Sequence, residues 1–342
     1  MREVALEWLT GRGAWLPLAA FAFTGAIVFL IASRLARHAD AIADATGLGR
    51  VWIGSLLLAA ATSLPELTTD VSAARLGARD IGVGDLLGST LANMLILALL
   101  DLVFARRRIL AAVAIDHALV GGLAIVMTAI VGLSVAAGGL GSLGPVGIES
   151  ALLLGVYLFG MHAVFKAAQP TATAPAQQLE LGESSATLLR EGVLGLALAT
   201  LGLAACAPVL VLSAEALALE TGSSDSFVGT MLVGFTTSFP EIAASVAAIR
   251  MGAVDLAVGN VFGSNAFNMC IVAAMDLADG EGPVLAAVSR QHVMSAFAAI
   301  CCVGLGTMAI LARSQRRTAI VRIESLAIVA TYLTLAWILS RG

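Results

Sequence analysis

The chain has 342 residues, 59% hydrophobic and 12% charged, with a formal net charge of −4. Soluble domains carry roughly 25% charged residues, so this composition excludes a soluble globule and makes a lipid bilayer the solvent. The acidic balance and the single lysine, Lys166, also exclude a nucleic-acid partner and a Gly-Lys phosphate loop.

A helix needs about 20 apolar residues to cross a hydrocarbon core of roughly 30 Å. The N-terminal MREVALEWLTGRGAWLPLAA has acidic residues before its apolar run and no clear cleavage site, so it reads as the start of a spanning helix rather than a signal peptide. Ten spans follow in chain order, at about 14–33, 49–74, 82–104, 109–136, 146–166, 187–213, 225–249, 255–276, 284–311 and 320–340. The fold class expected is an all-α membrane protein with ten transmembrane helices. The polar, low-complexity stretch AAQPTATAPAQQLELGESS reads as a linker over 167–186, between a first half at 1–166 and a second at 187–342. Each half holds five spans.

Cytoplasmic loops collect arginine and lysine. With both termini outside, the inner ends hold Arg34, Arg37, Arg50, Arg106 to Arg108, Lys166, Arg190, Arg250, Arg313, Arg316, Arg317 and Arg322, which is 13 of the 19 basic residues. The outside then keeps Arg2, Arg12, Arg75, Arg79, Arg290 and Arg341 with the acidic loops around Glu215, Glu220, Asp225, Asp276, Asp279 and Glu281. Scarce lysine and abundant alanine and arginine suggest a bacterial inner (plasma) membrane.

An internal repeat organises the chain. Shifted by 175, residues 54–101 lie on 229–276 without a gap, and 21 of the 48 positions are identical. Glu66 falls on Glu241, Pro65 on Pro240, Thr62-Ser63 on Thr237-Ser238, Ser89 on Ser264 and Asn93 on Asn268. The shift carries the second span onto the seventh, an odd number of crossings, so the halves are two inverted five-helix repeats. In transporters built this way the binding site lies near the midplane, where the copies meet.

A carboxylate inside a span is costly and normally faces a cavity or a partner. Here two repeat-related glutamates each follow a proline, which removes a backbone donor and breaks the helix; a broken helix at that depth lines a cavity. Thr62, Ser63, Thr237 and Ser238 add hydroxyls. GSTLAN at 88–93 and GSNAFN at 263–268 put Ser89 with Asn93, and Ser264 with Asn268, on single helix faces. Carboxylates, amide oxygens, hydroxyls and freed carbonyls suit a hard cation; Ca²⁺ takes 6–8 oxygens, whereas zinc or copper prefers Cys or His. The same oxygens suit several Na⁺, and competition for one pair of glutamates is a basis for exchange. A lone serine in a span commonly bonds to its own backbone, and glycines there also serve close packing; two matching Pro-Glu motifs are not explained that way.

TSLPE and TSFPE, each followed by G-S-x-x-x-N, resemble the two alpha repeats of the sodium/calcium exchanger family of cation antiporters. The resemblance covers about 100 residues and implies Ca²⁺ shared by Glu66 and Glu241 with the carbonyls of Thr62 and Thr237. It implies flanking Na⁺ sites from Ser63, Ser89, Ser238 and Ser264 with the carbonyls of Ala59 and Gly234, and a central position for Asn93 and Asn268. The first and sixth spans would slide to alternate access. The expected function is exchange of Ca²⁺ for Na⁺, with no enzymatic activity, no cofactor and no obligate protein partner. Both copies carry the Ser and Pro of T-S-x-P-E, where proton-coupled relatives of the same fold have an N-A-x-E type sequence, so sodium coupling is favoured over proton coupling.

Three departures bear on ion choice. Asn268 stands where some microbial members carry aspartate. Asp85 replaces the asparagine kept at Asn260, near the expected outer end of the third span. Asp70, mate of Ser245, could line the outer entrance, change ion choice or pair with Arg75 or Arg79, and a structural or entrance role is favoured. The GVGD at 82–85 also matches the GxGD of intramembrane aspartyl proteases, but its repeat mate is AVGN and no YD partner occurs. Cys206, Cys270, Cys301 and Cys302 read as small buried hydrophobes. His38, His117, His162 and His292 carry no metal spacing, Asp101 and Asp276 are expected at solvent or near Arg106, and Trp8, Trp15, Trp52 and Trp337 fall near span ends.

Overall fold

The computed structural model describes residues 6, 9–10, 13–104, 109–168, 183–221, 234–312 and 323–339. The described chain is almost wholly helical. Its elements are α1 (Trp15–Thr46), α2 (Arg50–Thr62), α3 (Leu64–Arg75), α4 (Arg79–Val103), a short α5 (Ile109–Ala112) and α6 (His117–Ala137). A two-stranded hairpin (Ser142–Leu143 with Val146–Gly147) precedes α7 (Ile148–Ala168) and α8 (Glu183–Thr221). The second half continues with α9 (Gly234–Thr237), α10 (Phe239–Met251), α11 (Val254–Asp279), α12 (His292–Ala312) and α13 (Ile323–Leu339).

Among the described residues seven helices are long and apolar enough to cross a membrane alone, and α2 with α3 forms an eighth crossing bent by 45°. The 17-residue α13 stands at the expected last span. Of the seventh expected span, 225–233 lie outside the described residues, as does most of the proposed linker; the rest is α9 and α10.

The bends come from the two Pro-Glu motifs. Ser63 (φ −83°, ψ 8°) and Ser238 (φ −75°, ψ 4°) leave helical geometry just before α3 and α10. Pro65 and Pro240 occupy the first turn of the new helix, where a missing N–H costs least. Each break therefore starts a helix whose first turn carries a glutamate.

Burial sorts the helices. Over their most apolar stretches α4 and α11 are 78% and 89% buried, whereas α1 and α8 are 28% and 12% buried and lie at the periphery, packed on each other. Gly192 and Gly195 of α8 let its backbone approach Ile42 and His38 of α1. In the centre a Cβ on Gly263 would fall 2.4 Å from the Ser55 carbonyl oxygen, and one on Gly234 would fall 2.8 Å from the Gly88 carbonyl carbon. Small residues at such crossings replace the hydrophobic drive that lipid cannot supply. Phe23, Phe159, Leu198 and Phe297 point outward as a lipid-facing surface.

Carboxylates at both ends of α4 and α11 tie the two halves together, and each tie occurs twice. His117 bonds Asp255 and His292 bonds Asp80, both at 3.0 Å, and each aspartate also accepts a backbone N–H, from Ala114 and from Ser289. Ser325 donates to Asp101 at 3.0 Å and Ser150 to Asp276 at 2.7 Å. Within each pair of ties the corresponding residues differ by the same shift of 175, so a contact from the first half to the second has its reverse. That reciprocity is the mark of a two-fold relation between the repeats.

These ties correct three expectations. The spans expected at 109–136 and 284–311 begin later, at His117 and His292, because the N–H groups before them serve Asp101, Asp276, Asp255 and Asp80 instead of a helix ladder. Asp101 and Asp276 do not meet solvent: they are 4% and 0% exposed and hold Ser325 and Ser150, while Arg106, the expected basic neighbour, lies outside the described residues. Of the cysteines, Cys302 is buried, Cys206 and Cys270 are half-buried and Cys301 is exposed.

Candidate functional site

The two helix breaks meet at the centre of the molecule. Glu66 and Glu241, each in the first turn after its break, are fully buried. Their hydroxyl partners come from the opposite repeat: Ser63 donates to Glu241 Oε1 at 3.2 Å and Ser238 to Glu66 Oε1 at 3.5 Å. Ser264 adds a second bond to Glu241 Oε1 at 3.2 Å. Each glutamate thus has one oxygen held by hydroxyls, while Oε2 is buried with no protein donor. A buried acceptor with no partner costs about 1–3 kcal/mol, more when charged, so these atoms are placed for something else.

Four more predicted oxygens lie beside them. Ser264 Oγ is 3.5 Å from the Ala59 carbonyl and Ser89 Oγ is 3.3 Å from the Gly234 carbonyl, again a reciprocal pair. Thr62 Oγ1 lies 3.1 Å from Asn260 Oδ1 and 3.5 Å from Ser264 Oγ. Its mate Thr237 donates to Asp85 Oδ1 at 2.8 Å and lies 3.1 Å from Ser89 Oγ. Asn93 and Asn268 are buried on α4 and α11. Asn93 Nδ2 donates to Asn265 Oδ1 at 3.0 Å, leaving Asn93 Oδ1 and both polar atoms of Asn268 without a protein partner. Ten of the twelve residues singled out from the sequence take part in these contacts or adjoin residues that do, and Asn93 and Asn268 are buried on the two helices that carry Ser89 and Ser264.

Asn265 and Asn260 were missed. Asn265 stands opposite Thr90 in the repeat, so identity between the copies carried no signal there; Asn260 was noted only as the mate of Asp85.

Asp85 and Asp70 depart from expectation. Asp85, six residues after the start of α4 at Arg79, is fully buried and takes a hydrogen bond from Thr237. Asp70 is also fully buried, and its near side-chain neighbour is Asp85. Arg79 pairs instead with Asp279 at 2.7 Å and Glu281 at 2.6 Å. Asp70 is thus no entrance residue neutralised by that arginine.

Four carboxylates are buried here; the side-chain donors to Glu66, Glu241 and Asp85 are hydroxyls, not cations, and Asp70 has none. Burying isolated charges is prohibitive without compensation. Among the described residues no three His, Cys, Asp or Glu side chains converge on one point. The oxygens gathered here are carboxylate, hydroxyl, amide and carbonyl, a donor set that suits Na⁺ or Ca²⁺ and not zinc or copper.

Comparison with known proteins agrees with this chemistry. The family model for sodium/calcium exchanger protein matches residues 16–166 and again residues 191–341. The chain is 33% identical over 283 residues to a putative antiporter, CaxA, of Alkalimonas amylolytica, covering 79% of this chain and 84% of that one. It is 29% identical to the inner membrane protein YrbG of Escherichia coli K12 over 260 residues, covering 72% and 74% of the two chains. Among solved structures, the sodium-calcium exchanger NCX_Mj superposes with a TM-score of 0.66 over 94% of this chain and 98% of its own, at 20% identity.

Proposed function

Because this chain belongs to the sodium/calcium exchanger family of cation antiporters, we propose that it exchanges Ca²⁺ for Na⁺ across a membrane, by alternating access to a midplane site shared by Glu66 and Glu241. One observation carries the assignment to these residues. Each glutamate is clamped through one oxygen by a serine of the opposite repeat and keeps its other oxygen buried and free of protein donors.

The roles proposed are those the family resemblance implies, and the geometry of the two glutamates supports them. Glu66 Oε2 and Glu241 Oε2 are the charged ligands, and two carboxylates balance one Ca²⁺. Carbonyls of Thr62 and Thr237 complete its shell. When Na⁺ takes over, Ser63, Ser264 and the Ala59 carbonyl serve the Glu241 side, and Ser238, Ser89 and the Gly234 carbonyl serve the Glu66 side. Asn93 and Asn268 bridge between them. A serine hydroxyl that donates to a glutamate in the empty site turns a lone pair to a bound cation, so loading rearranges hydrogen bonds rather than helices. The ions compete for the same oxygens, and this makes the process an exchange.

Sodium coupling is favoured over proton coupling by the serine and proline in both T-S-x-P-E motifs. We place both termini outside and the 167–186 linker in the cytoplasm of a bacterial inner membrane, following the arginines. The Arg79 pair with Asp279 and Glu281 supports part of this, since all three were put on the same face. The protease reading of GVGD is not favoured: the partners of Asp85 are Thr237 and Ser89, residues of the antiporter motifs.

The test is ⁴⁵Ca²⁺ uptake into proteoliposomes loaded with Na⁺, K⁺ or neither, with a pH gradient imposed separately. Uptake driven by internal Na⁺ and abolished by Glu66→Gln is the expected result. Uptake driven only by the pH gradient would move the coupling ion to H⁺, and no uptake under any gradient would remove the substrate assignment.

A further inference from the structure

The two halves of the site differ at one point. In the second repeat, Asn260 Oδ1 meets Thr62 while Asn260 Nδ2 donates to Ser245 Oγ at 3.3 Å. In the first repeat the corresponding residues are Asp85 and Asp70. Asp85 Oδ1 does the work of Asn260 Oδ1, accepting from Thr237 at 2.8 Å. Asp85 Oδ2, the atom in place of that amide nitrogen, has no donor, and the side chain beside Asp85 is Asp70, itself an acceptor. A donor facing an acceptor has become an acceptor facing an acceptor.

Among the described residues no donor repairs this. Both Asp70 oxygens and Asp85 Oδ2 are buried and have no hydrogen-bond partner, and both residues are 0% exposed. Gly82 brings α4 close to the α3 backbone, where its Cβ would lie 3.5 Å from the Asp70 carbonyl oxygen, so the two carboxyls face each other across a tight helix crossing. Arg79 is committed to Asp279 and Glu281, and Arg75, closer to Asp70 in sequence, is exposed and makes no bond to it. Three unpartnered carboxylate oxygens converge from two helices, one turn beyond Glu66.

We propose that Asp70 and Asp85 form an additional binding site for one hard metal cation, adjoining the Glu66–Glu241 site on the side of the first repeat. The cation takes the place of the missing amide N–H and lies between Asp85 Oδ2 and the Asp70 carboxyl. It makes the two repeats unequal: a site that binds a symmetric set of ions through the paired motifs binds one more on one flank. This inference rests on the cation-antiporter reading, because it presumes a path by which ions reach the centre.

Equilibrium binding of ⁴⁵Ca²⁺ and of ²²Na⁺ to the purified full-length protein tests it. The double variant Asp70→Ser/Asp85→Asn installs in the first repeat the pair that the second already packs, so it is expected to fold. It should bind one cation fewer per chain than the wild type, in whichever isotope fills the site, and keep the binding that Glu66 and Glu241 supply. The single variant Asp85→Asn changes one oxygen to a nitrogen and should lose the same equivalent. Equal stoichiometry of both isotopes in wild type and both variants would overturn the inference, and a proton shared between the aspartates would then explain the pair. The Glu66→Gln/Glu241→Gln protein separates the two readings. If it binds as many cations as the wild type while Asp70→Ser/Asp85→Asn loses one, the central assignment fails and the additional site stands.

Discussion

Asp276 shows how much one side chain can hold. It accepts from Ser150 Oγ at 2.7 Å and from the N–H groups of Gly147 and Val284 at 2.8 Å each, with no exposure. Removing it orphans three buried donors, each worth about 1–3 kcal/mol when left unmade. We expect Asp276→Ala to lower stability by about 3 kcal/mol or more, read as a lower midpoint in detergent unfolding, and Asp276→Asn to lose less. Asp101→Ala removes the repeat-related anchor of Ser325 and the Leu110 N–H and should behave alike. An unchanged midpoint for both would mean that water serves these donors. The glutamates differ in kind: their hydroxyl partners leave Oε2 free, so their loss is expected to appear in ion binding rather than in folding.

At the scale of elements, the bent helices and the glycine crossings are one device. The proline sets where a helix restarts, and the restart aims the glutamate of the first turn at the opposite repeat. That aim needs backbones in near contact. The Cβ of any residue but glycine at 263 would fall 2.4 Å from the Ser55 carbonyl, a backbone atom that cannot swing away. Overpacking of this sort costs about 1–3 kcal/mol. Gly263→Val should therefore destabilise the protein by that amount or more and displace Ser264 from Glu241, with reduced Ca²⁺ affinity as the second readout. A variant with wild-type stability and affinity would show that α2 and α11 can separate freely.

For the whole molecule, a rigid centre and a loosely held periphery suit alternating access. The buried helices α4 and α11 are cross-tied by matched carboxylate contacts, whereas α1 and α8 pack chiefly on each other and expose most of their surface. A cavity of about 400 Å³ between α3, the start of α4 and α8 is lined by Thr69, Ile81, Pro208 and Leu212. If α1 and α8 move together over the core, a disulfide between cysteines at Thr69 and Leu212 should stop exchange until it is reduced. One between cysteines at His38 and Gly195, which join α1 to α8, should leave exchange intact. Loss of transport in both cross-linked proteins would mean that the two helices move separately.

Much of this was legible in the sequence because a bilayer restricts what a chain can do. A carboxylate beside a proline inside an apolar run has few bland explanations, and its recurrence at a shift of 175 residues tied Glu66 to Glu241 and Ser89 to Ser264 before any coordinates. Composition determined the helical membrane fold for the same reason: without water, backbone groups must be satisfied within the segment. The repeat also runs further than the motif, through His117 and His292 and the IES triplets at 148–150 and 323–325, but only the structure made these the partners of Asp80, Asp255, Asp101 and Asp276. What only the tertiary structure decided lies where the copies differ or where distant segments meet. Asp70 and Asp85 are fifteen residues apart and have unlike mates, so neither periodicity nor symmetry could bring them together. Their meeting depends on how tightly α3 turns back onto α4 at Gly82, and a crossing between helices is set by side-chain volumes on both, not by the sequence of either alone.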